Sequence, residues 1–421
     1  MHLPHSARFG LAIAAALLLG AALSSASLAP SFIVTSTADA YTAYLARAVI
    51  WRDPRKLSIA GLRNGPAAPL PNAIALARAG KPLECRFEAR GEDMGGKTRK
   101  FLCKAPDGQS LRIKYFEPGE DANREVFAEV VAARLLWALG FDADAVFPVT
   151  VICADCPEDP WTGKGPRQRR EYVAEYEARY EGTTIVPEAE PDHGWTFGEL
   201  ETAIASLPPG ELRRRQQLHF DALTLAAVFI QHGDRKRSQQ RLVCRGTVDA
   251  AIGDVRNVPL EDRHESAPAL FERPGTPACA GPTVVTVQDP GATFGGAGRR
   301  TNKVTAKMHL PSWAEKPVFE SDNGHDATAC RGKISVSGAA GGDARADPKI
   351  SEAGRQFLLT QFRRLTPEHV RTLFELARVD QMGERHEWHD RASGRTYSGV
   401  DAWVAVFLDK VAQIDRQRCG L

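Results

Sequence analysis

"LTLAAVFIQHGDRKRSQQRLVC" spans residues 223–244. It continues an amphipathic run that opens at "ELRRRQQLHF" (211–220) and turns almost wholly apolar, so the spacing predicts a helix half-solvated at its start and enclosed at its end. Gly233 breaks that pattern. The polar stretch 234–240 then reads as a loop, and "RLVC" (241–244) as a short strand.

Downstream, "TVVTVQDPGATFGG" (283–296) reads as a β-branched strand ending in the turn Asp289-Pro290-Gly291. The intervening segment 245–282 has loop composition and carries Cys279. Upstream, "GEDMGGKTRK" (91–100) matches the phosphate-loop pattern G-x-x-x-x-G-K-[ST], with Lys97 and Thr98 in the reactive positions. Such a loop joins a buried strand to a helix, and the surroundings do not supply one. "LECRFEAR" (83–90) alternates apolar and charged residues, the mark of a half-solvated strand, while Pro106 and the Asp107-Gly108 turn forbid a long helix afterwards. A hairpin bend centred near Met94 fits better. It sets Cys85 opposite Cys103 and Phe87 opposite Phe101, with Cα atoms roughly 4.5–5.5 Å apart, within reach of a disulfide. A third strand, "SLRIKYF" (110–116), carries Lys114. The next segment, 123–141, has apolar residues at helical spacing, Gly140 at its stop, and Glu125 and Glu129 one turn apart on one face.

Three strands with a Gly-rich bend, a lysine on the third and a glutamate on the next helix resemble the small lobe of the protein-kinase-like fold. The helix, loop and strand of 211–244 and the turn at 289–291 resemble its catalytic loop and metal-binding triplet. The details are most similar to the atypical branches: HipA-like bacterial kinases, secretory-pathway kinases and lipid kinases. The resemblance implies an α+β, two-lobed fold, with a small antiparallel β lobe over 83–186, a mainly helical large lobe over 187–421 and an N-terminal extension at 30–82. It also implies roles. Lys114 would hold the nucleotide phosphates and Glu129, or alternatively Glu125, would hold Lys114. Gly91, Gly95 and Gly96 would lie over the phosphates. Asp234 would orient a hydroxyl acceptor and take its proton, His232 would brace the loop through a backbone hydrogen bond, and Arg235 would be solvated or near the γ-phosphate. Asp289 and Gln239 would bind magnesium. ATP and magnesium are thus the expected cofactors, and the acceptor is an unidentified hydroxyl on a protein, lipid or sugar. Cys279 would tie back to Cys244.

Departures from the pattern define the alternatives. Gly233 stands where an arginine usually clamps a phosphorylated loop, Pro290 replaces a phenylalanine, and Gln239 replaces an asparagine with a side chain one methylene longer. The last change points to a catalytically inactive relative kept as a binding or scaffolding module. The third reading is a phosphate-loop NTPase using Lys97, with 284–289 as its metal strand.

The rest of the chain bounds these readings. Its 421 residues carry a formal net charge of +2, which gives no reason to expect nucleic acid as a partner. Residues 1–29 place Arg8 before an apolar run and then small residues, the pattern of a secretory signal; uncleaved, it would be a membrane anchor. An exported, periplasmic or extracellular chain is expected either way, and its eight cysteines then favour disulfides, Cys153 and Cys156 included. His386, His389 and Asp390 would share a helical face able to chelate zinc, but an ordinary polar face is the expectation. Residues 302–319 occupy the substrate-docking position of kinases, with Trp313 as an acceptor-site wall. Helices are expected over 351–364, 367–378 and 400–416.

Overall fold

The computed structural model of the chain describes residues 32–54, 57–89, 98–119, 123–178, 182–187, 194–246, 279, 281–295, 307–320, 329–334, 347–383 and 386–420. The signal residues 1–29, the bend glycines Gly91, Gly95 and Gly96, and Lys97 lie outside them. The chain opens with strand β1 (Phe32–Ser36) and helices α1 (Ala38–Arg47), α2 (Ile59–Asn64) and α3 (Asn72–Arg78). Strands β2 (Leu83–Glu88), β3 (Lys100–Lys104) and β4 (Ser110–Tyr115) lead to helix α4 (Glu125–Leu139). Strands β5 (Asp142–Ala143), β6 (Ala145–Cys156), β7 (Gln168–Ala178) and β8 (Thr183–Pro187) follow, then α5 (Phe197–Ala205), α6 (Glu211–Phe229), β9 (Gln240–Cys244), β10 (Thr283–Val287) and α7 (Leu310–Glu315). The last elements are β11 (Ala329–Arg331), β12 (Lys349–Ser351), α8 (Glu352–Phe362), α9 (Pro367–Leu376), β13 (Glu387–His389), β14 (Thr396–Ser398) and α10 (Val400–Arg416). The class is α+β. No helix among the described residues is long and apolar enough to cross a membrane.

Alternation along β2, β3, β4, β6 and β7 closes them into a barrel, in the order β2-β3-β4-β7-β6. Its interior is apolar, with Phe101, Ile113, Val149 and Val151 fully buried. The antiparallel small lobe expected from sequence holds for every pairing of the barrel but one. Strand β6 is long enough to pair antiparallel with β7 and also parallel with β2, Leu83 opposite Val151, which removes the open edge a three-stranded sheet would expose. The hairpin register also differs from the expected one by two residues. Phe87, not Cys85, stands opposite Cys103. A shift of two keeps every side chain on its own face, so Cys85 and Cys103 still form a disulfide across the diagonal, with Cα atoms 5.6 Å apart, and the Phe87 and Phe101 rings still stack at 6.3 Å. Because β2 and β3 are antiparallel neighbours, residues 91–97 connect strand to strand and the strand-to-helix setting of a phosphate loop is missing.

The segment read as an extension is built into the fold. Strand β1 pairs parallel with β8, and the buried Gln216 of α6 donates to the carbonyls of Ala46 and Ala48 at 2.9 and 2.8 Å. Strand β8, assigned from sequence to the small lobe, belongs to a mixed sheet of order β1-β8-β9-β10-β5. The part expected to be mainly helical contributes β9 and β10 to that sheet. Helices α8, α9 and α10 fall within the expected ranges; Thr366 and His369 form a reciprocal cap on α9, with Pro367 at the first turn. Trp313 is no acceptor-site wall: it is fully buried, stacks on Trp403 at 5.9 Å and donates to the Phe229 carbonyl at 2.8 Å. His389 lies on a β-hairpin, so the helical spacing that grouped it with His386 and Asp390 does not exist. Three further disulfides join Cys153–Cys156, Cys244–Cys279 and Cys330–Cys419.

Candidate active site

The outer face of the barrel, not its interior, carries the charged cluster. Along β4 the side chains of Leu111, Ile113 and Tyr115 point inward, so Lys114 must point out. It would be solvated on an isolated sheet. Here α4 covers it: every residue of that helix except Trp137 is buried, and Gly140 ends it in the left-handed conformation at φ +95°. The fully buried Glu129 meets Lys114 Nζ through both carboxylate oxygens, at 2.8 and 2.7 Å. Glu125, the alternative partner, pairs instead with Lys307.

Asp289 arrives from the far side, 175 positions along the chain, with Oδ1 at 3.4 Å from Lys114 Nζ. Two hydrogen bonds hold it and a third holds the residue before it. Its amide donates to Asp144 Oδ2 at 2.7 Å, Gln239 Nε2 donates to its Oδ2 at 3.0 Å, and the Gln288 amide donates to the Gln239 carbonyl at 2.9 Å. Asp289 has φ +47°, a left-handed conformation that costs a non-glycine residue about 1–2 kcal/mol, though aspartate tolerates it better than most. Backbone strain of this kind recurs at functional sites.

The loop after α6 is laced to the same turn. The Gly233 amide donates to the Ala292 carbonyl at 3.2 Å, and the Phe294 amide to the Ile230 carbonyl at 2.7 Å. Asp234 sits on this loop with Oδ2 paired to Lys236 at 3.0 Å and its buried Oδ1 without a hydrogen-bond partner among the described residues. His232 is buried; its amide donates to the Ala227 carbonyl at 2.8 Å and neither ring nitrogen meets a partner among the described residues. Burial, then the charge of Arg235, pushes the imidazole down to about 3, so the ring is neutral. Arg235 is not solvated. It is 3 % exposed and lies over the Phe197 ring at 4.9 Å.

Several charged groups at the cluster were not singled out from sequence. Glu177 lies 3.2 Å and Glu175 3.8 Å from Lys114 Nζ, both carried by β7. Lys100, on β3, stands opposite Lys114 in the ladder. The signal for the two glutamates was present in "EYVAEYEA" (171–178), whose acids alternate with apolar residues. A period of two gives their face and not what covers it.

One ammonium cannot hold so many carboxylates ionised. Burial alone would lower the pKa of Lys114, but Asp289, Glu129, Glu177 and Glu175 together hold it well above its ordinary value. Burial drives Asp144 and Glu175 well above the usual carboxylate range, each helped by a neighbouring carboxylate. It also pushes Glu129 up to about 7 against the pull of Lys114. Asp289 and Glu177 are the exceptions. Partial burial would raise them too, but they are held below their ordinary values, Asp289 by Lys114 and Lys100, Glu177 by Lys114 and Arg112. The anionic charge of the site thus concentrates on Asp289 and Glu177. Carboxylate oxygens of Glu125, Glu129 and Asp289 lie within 4.8 Å of one another, as do those of Glu129, Asp144 and Glu177. An all-oxygen donor set of this charge suits a hard divalent cation such as magnesium.

No protein-family model matches the chain, and no curated protein matches it. Among solved structures it is similar to the crystal structure of a Helicobacter pylori proinflammatory kinase, CtkA, at 10 % identity and a TM-score of 0.36, over 80 % of this chain and 95 % of that one.

Proposed function

We propose that this chain is a phosphotransferase that moves the γ-phosphoryl group of ATP to a hydroxyl, with magnesium. The supporting observation is the meeting of Lys114, Glu129, Gln239 and Asp289, from four separate elements or turns, in one part-buried cluster. In this reading Glu129 aims Lys114 at the nucleotide phosphates, and Asp289, braced by Gln239 and Asp144, holds the magnesium. Magnesium held there would neutralise charge on the phosphates. Asp234, whose Oδ1 has no hydrogen-bond partner among the described residues, orients the acceptor hydroxyl and takes its proton. Positioning and charge supply most of the acceleration in phosphoryl transfer, so no further covalent participant is needed. We place the protein outside the cytoplasm, a reading that its four disulfides support.

A binding-only module is the second reading. It is favoured by the engagement of both Asp289 oxygens, one by Lys114 and one by Gln239. Incubation of the purified chain with magnesium and γ-labelled ATP separates the two. Catalysis predicts label transfer that Asp289→Asn and Asp234→Ala both abolish, with Asp234→Ala still stabilised thermally by the nucleotide. Nucleotide-dependent stabilisation with no transfer to the chain itself, or to any generic protein, lipid or sugar acceptor, selects the module. Loss of activity in Lys97→Ala but not in Lys114→Met would restore the phosphate loop.

A further inference from the structure

Helix α4 carries a second buried charge, five residues beyond Glu129. Arg134 is 1 % exposed, yet none of its three guanidinium nitrogens has a hydrogen-bond partner among the described residues. The guanidinium lies over the Phe147 ring at 4.7 Å, and Arg78 approaches the same ring at 5.1 Å. A ring face offsets only part of the cost of taking such an ion out of water. Nor does the group escape by losing its proton: burial, then the charge of Arg78, pushes it down to about 9, still cationic at neutral pH.

Arg134 opens onto a cavity of about 260 Å³ bordered by α3, α4 and α9. Arg63, Arg78 and Arg378 line it as well, and Glu375 is its acidic side chain, 3.8 Å from Arg63 at the exposed rim. Four guanidinium groups against one carboxylate leave a local positive excess in a chain whose formal charge is only +2. The backbone is shaped around this excess. Gly65 has φ +72°, and a Cβ there would fall 1.1 Å from Arg134 Nη1, so only glycine leaves the guanidinium its place. Arg378 is held at φ +57°, a left-handed position at the end of α9 where glycine is the usual choice, and donates to Thr150 Oγ1 at 3.0 Å.

We propose that this cavity binds a phosphate-type oxyanion, free or as the monoester of a small organic molecule, with Arg134 as the buried anchor and Arg63, Arg78 and Arg378 at its mouth. Guanidinium forks approaching from several elements match a tetrahedral oxyanion, whose oxygens point in three dimensions, better than a single planar carboxylate. The site is separate from the Lys114 cluster. Five residues along an α-helix turn a side chain by roughly 140°, so Arg134 and Glu129 leave α4 on different faces.

The test is thermal unfolding of the full chain, disulfides intact and magnesium absent. Sodium phosphate and glycerol 2-phosphate are titrated in turn against sodium chloride at equal ionic strength. A saturable rise with either anion is expected; a preference for phosphate identifies a free ion and a preference for the ester an organic phosphate. Arg134→Met is expected to weaken the response at least about tenfold, the loss of a charge-assisted bidentate contact. Should that variant not fold, Arg78→Gln, at an exposed position, must show the weakening instead. Lys114→Met must keep the response. The proposal is overturned by no saturable rise beyond chloride, by a response unchanged in Arg134→Met and Arg78→Gln, or by one lost only in Lys114→Met, which would move the anion to the other site.

Discussion

Replacing Lys114 by methionine keeps an apolar stem of similar length and removes the ammonium that Glu129, Glu175, Glu177 and Asp289 all approach within 3.8 Å. Taking away one partner of a buried charge pair costs roughly 3–5 kcal/mol. Glu129 is fully enclosed and cannot turn to water, so the full penalty is expected at about pH 8, where the carboxylates would otherwise be ionised. The pH dependence carries the sharper prediction. Without the ammonium, the folded-state pKa values of these carboxylates rise, those of Glu129 and Glu175 further above their unfolded values and those of Asp289 and Glu177 from below them. The folded variant then binds more protons than its unfolded chain, and its stability increases as pH falls. Each proton bound in excess by the folded variant restores about 1.4 kcal/mol per pH unit, and because Glu129 of the unaltered chain, up at about 7, takes its own proton within the range, one such proton narrows the deficit by about 1.4 kcal/mol between about pH 8 and pH 6. Urea unfolding of the variant and the unaltered chain, side by side at constant ionic strength, gives the difference directly. A deficit that stays flat over that range, or grows on acidification, would falsify the claim that one ammonium is shared among these acids.

Two further outcomes follow from the same coordinates. His232 refuses a proton until about pH 3 in the folded chain, whereas the unfolded chain accepts one near 6.5. Its contribution is therefore fully present above about pH 6.5 and falls by about 2 kcal/mol at pH 5; His232→Gln should flatten that acid limb, and identical limbs in acid-unfolding curves of the two chains would count against it. The disulfides close loops of 3, 18, 35 and 89 residues. Chain entropy assigns them about 1.6, 3.2, 3.8 and 4.6 kcal/mol in that order. Paired serine substitutions should thus lower the unfolding midpoint least for Cys153–Cys156 and most for Cys330–Cys419, and a reversed order would point to local strain rather than loop closure.

Local patterns made some elements of the site legible before any coordinates. The apolar spacing of 123–141 and Gly140 gave α4, and with it the rise that brings Glu129 under the sheet. The switch from an apolar helix to a polar loop at Gly233 gave the turn beside Asp289. What escaped has one physical origin: the features set by distant segments leave no local trace. A period-two pattern cannot tell a strand register from one displaced by two residues, since both keep the same face inward. That is why the Cys85–Cys103 bond was foreseen while the pairing beneath it was offset. Closure of the barrel needs β6 to meet β2 across more than sixty residues, and nothing in either strand announces a parallel neighbour. Glu175, Glu177 and Arg235 look like solvated charges in sequence because polarity reports what a side chain prefers. Enclosure is imposed here from elsewhere in the chain, as when Arg235 is covered against the Phe197 ring of α5.

The two charges of α4 show how different a buried ion can be when the chain supplies its partner and when it does not. A helix enclosed on nearly every face has no polar side to lend to water, so each charged residue on it must be matched from outside the helix. For Glu129 the match comes from β4, in a bidentate contact made by the chain itself. For Arg134 the neighbouring elements bring a ring face, a glycine that makes room and three more cations, and they bring no acceptor to its nitrogens among the described residues. A chain selected only for stability would shed such a group, because an apolar side chain of similar volume is less costly in that position. Keeping Arg134 there, with space in front of it, is reasonable on physical grounds if an anion from solution completes the pair.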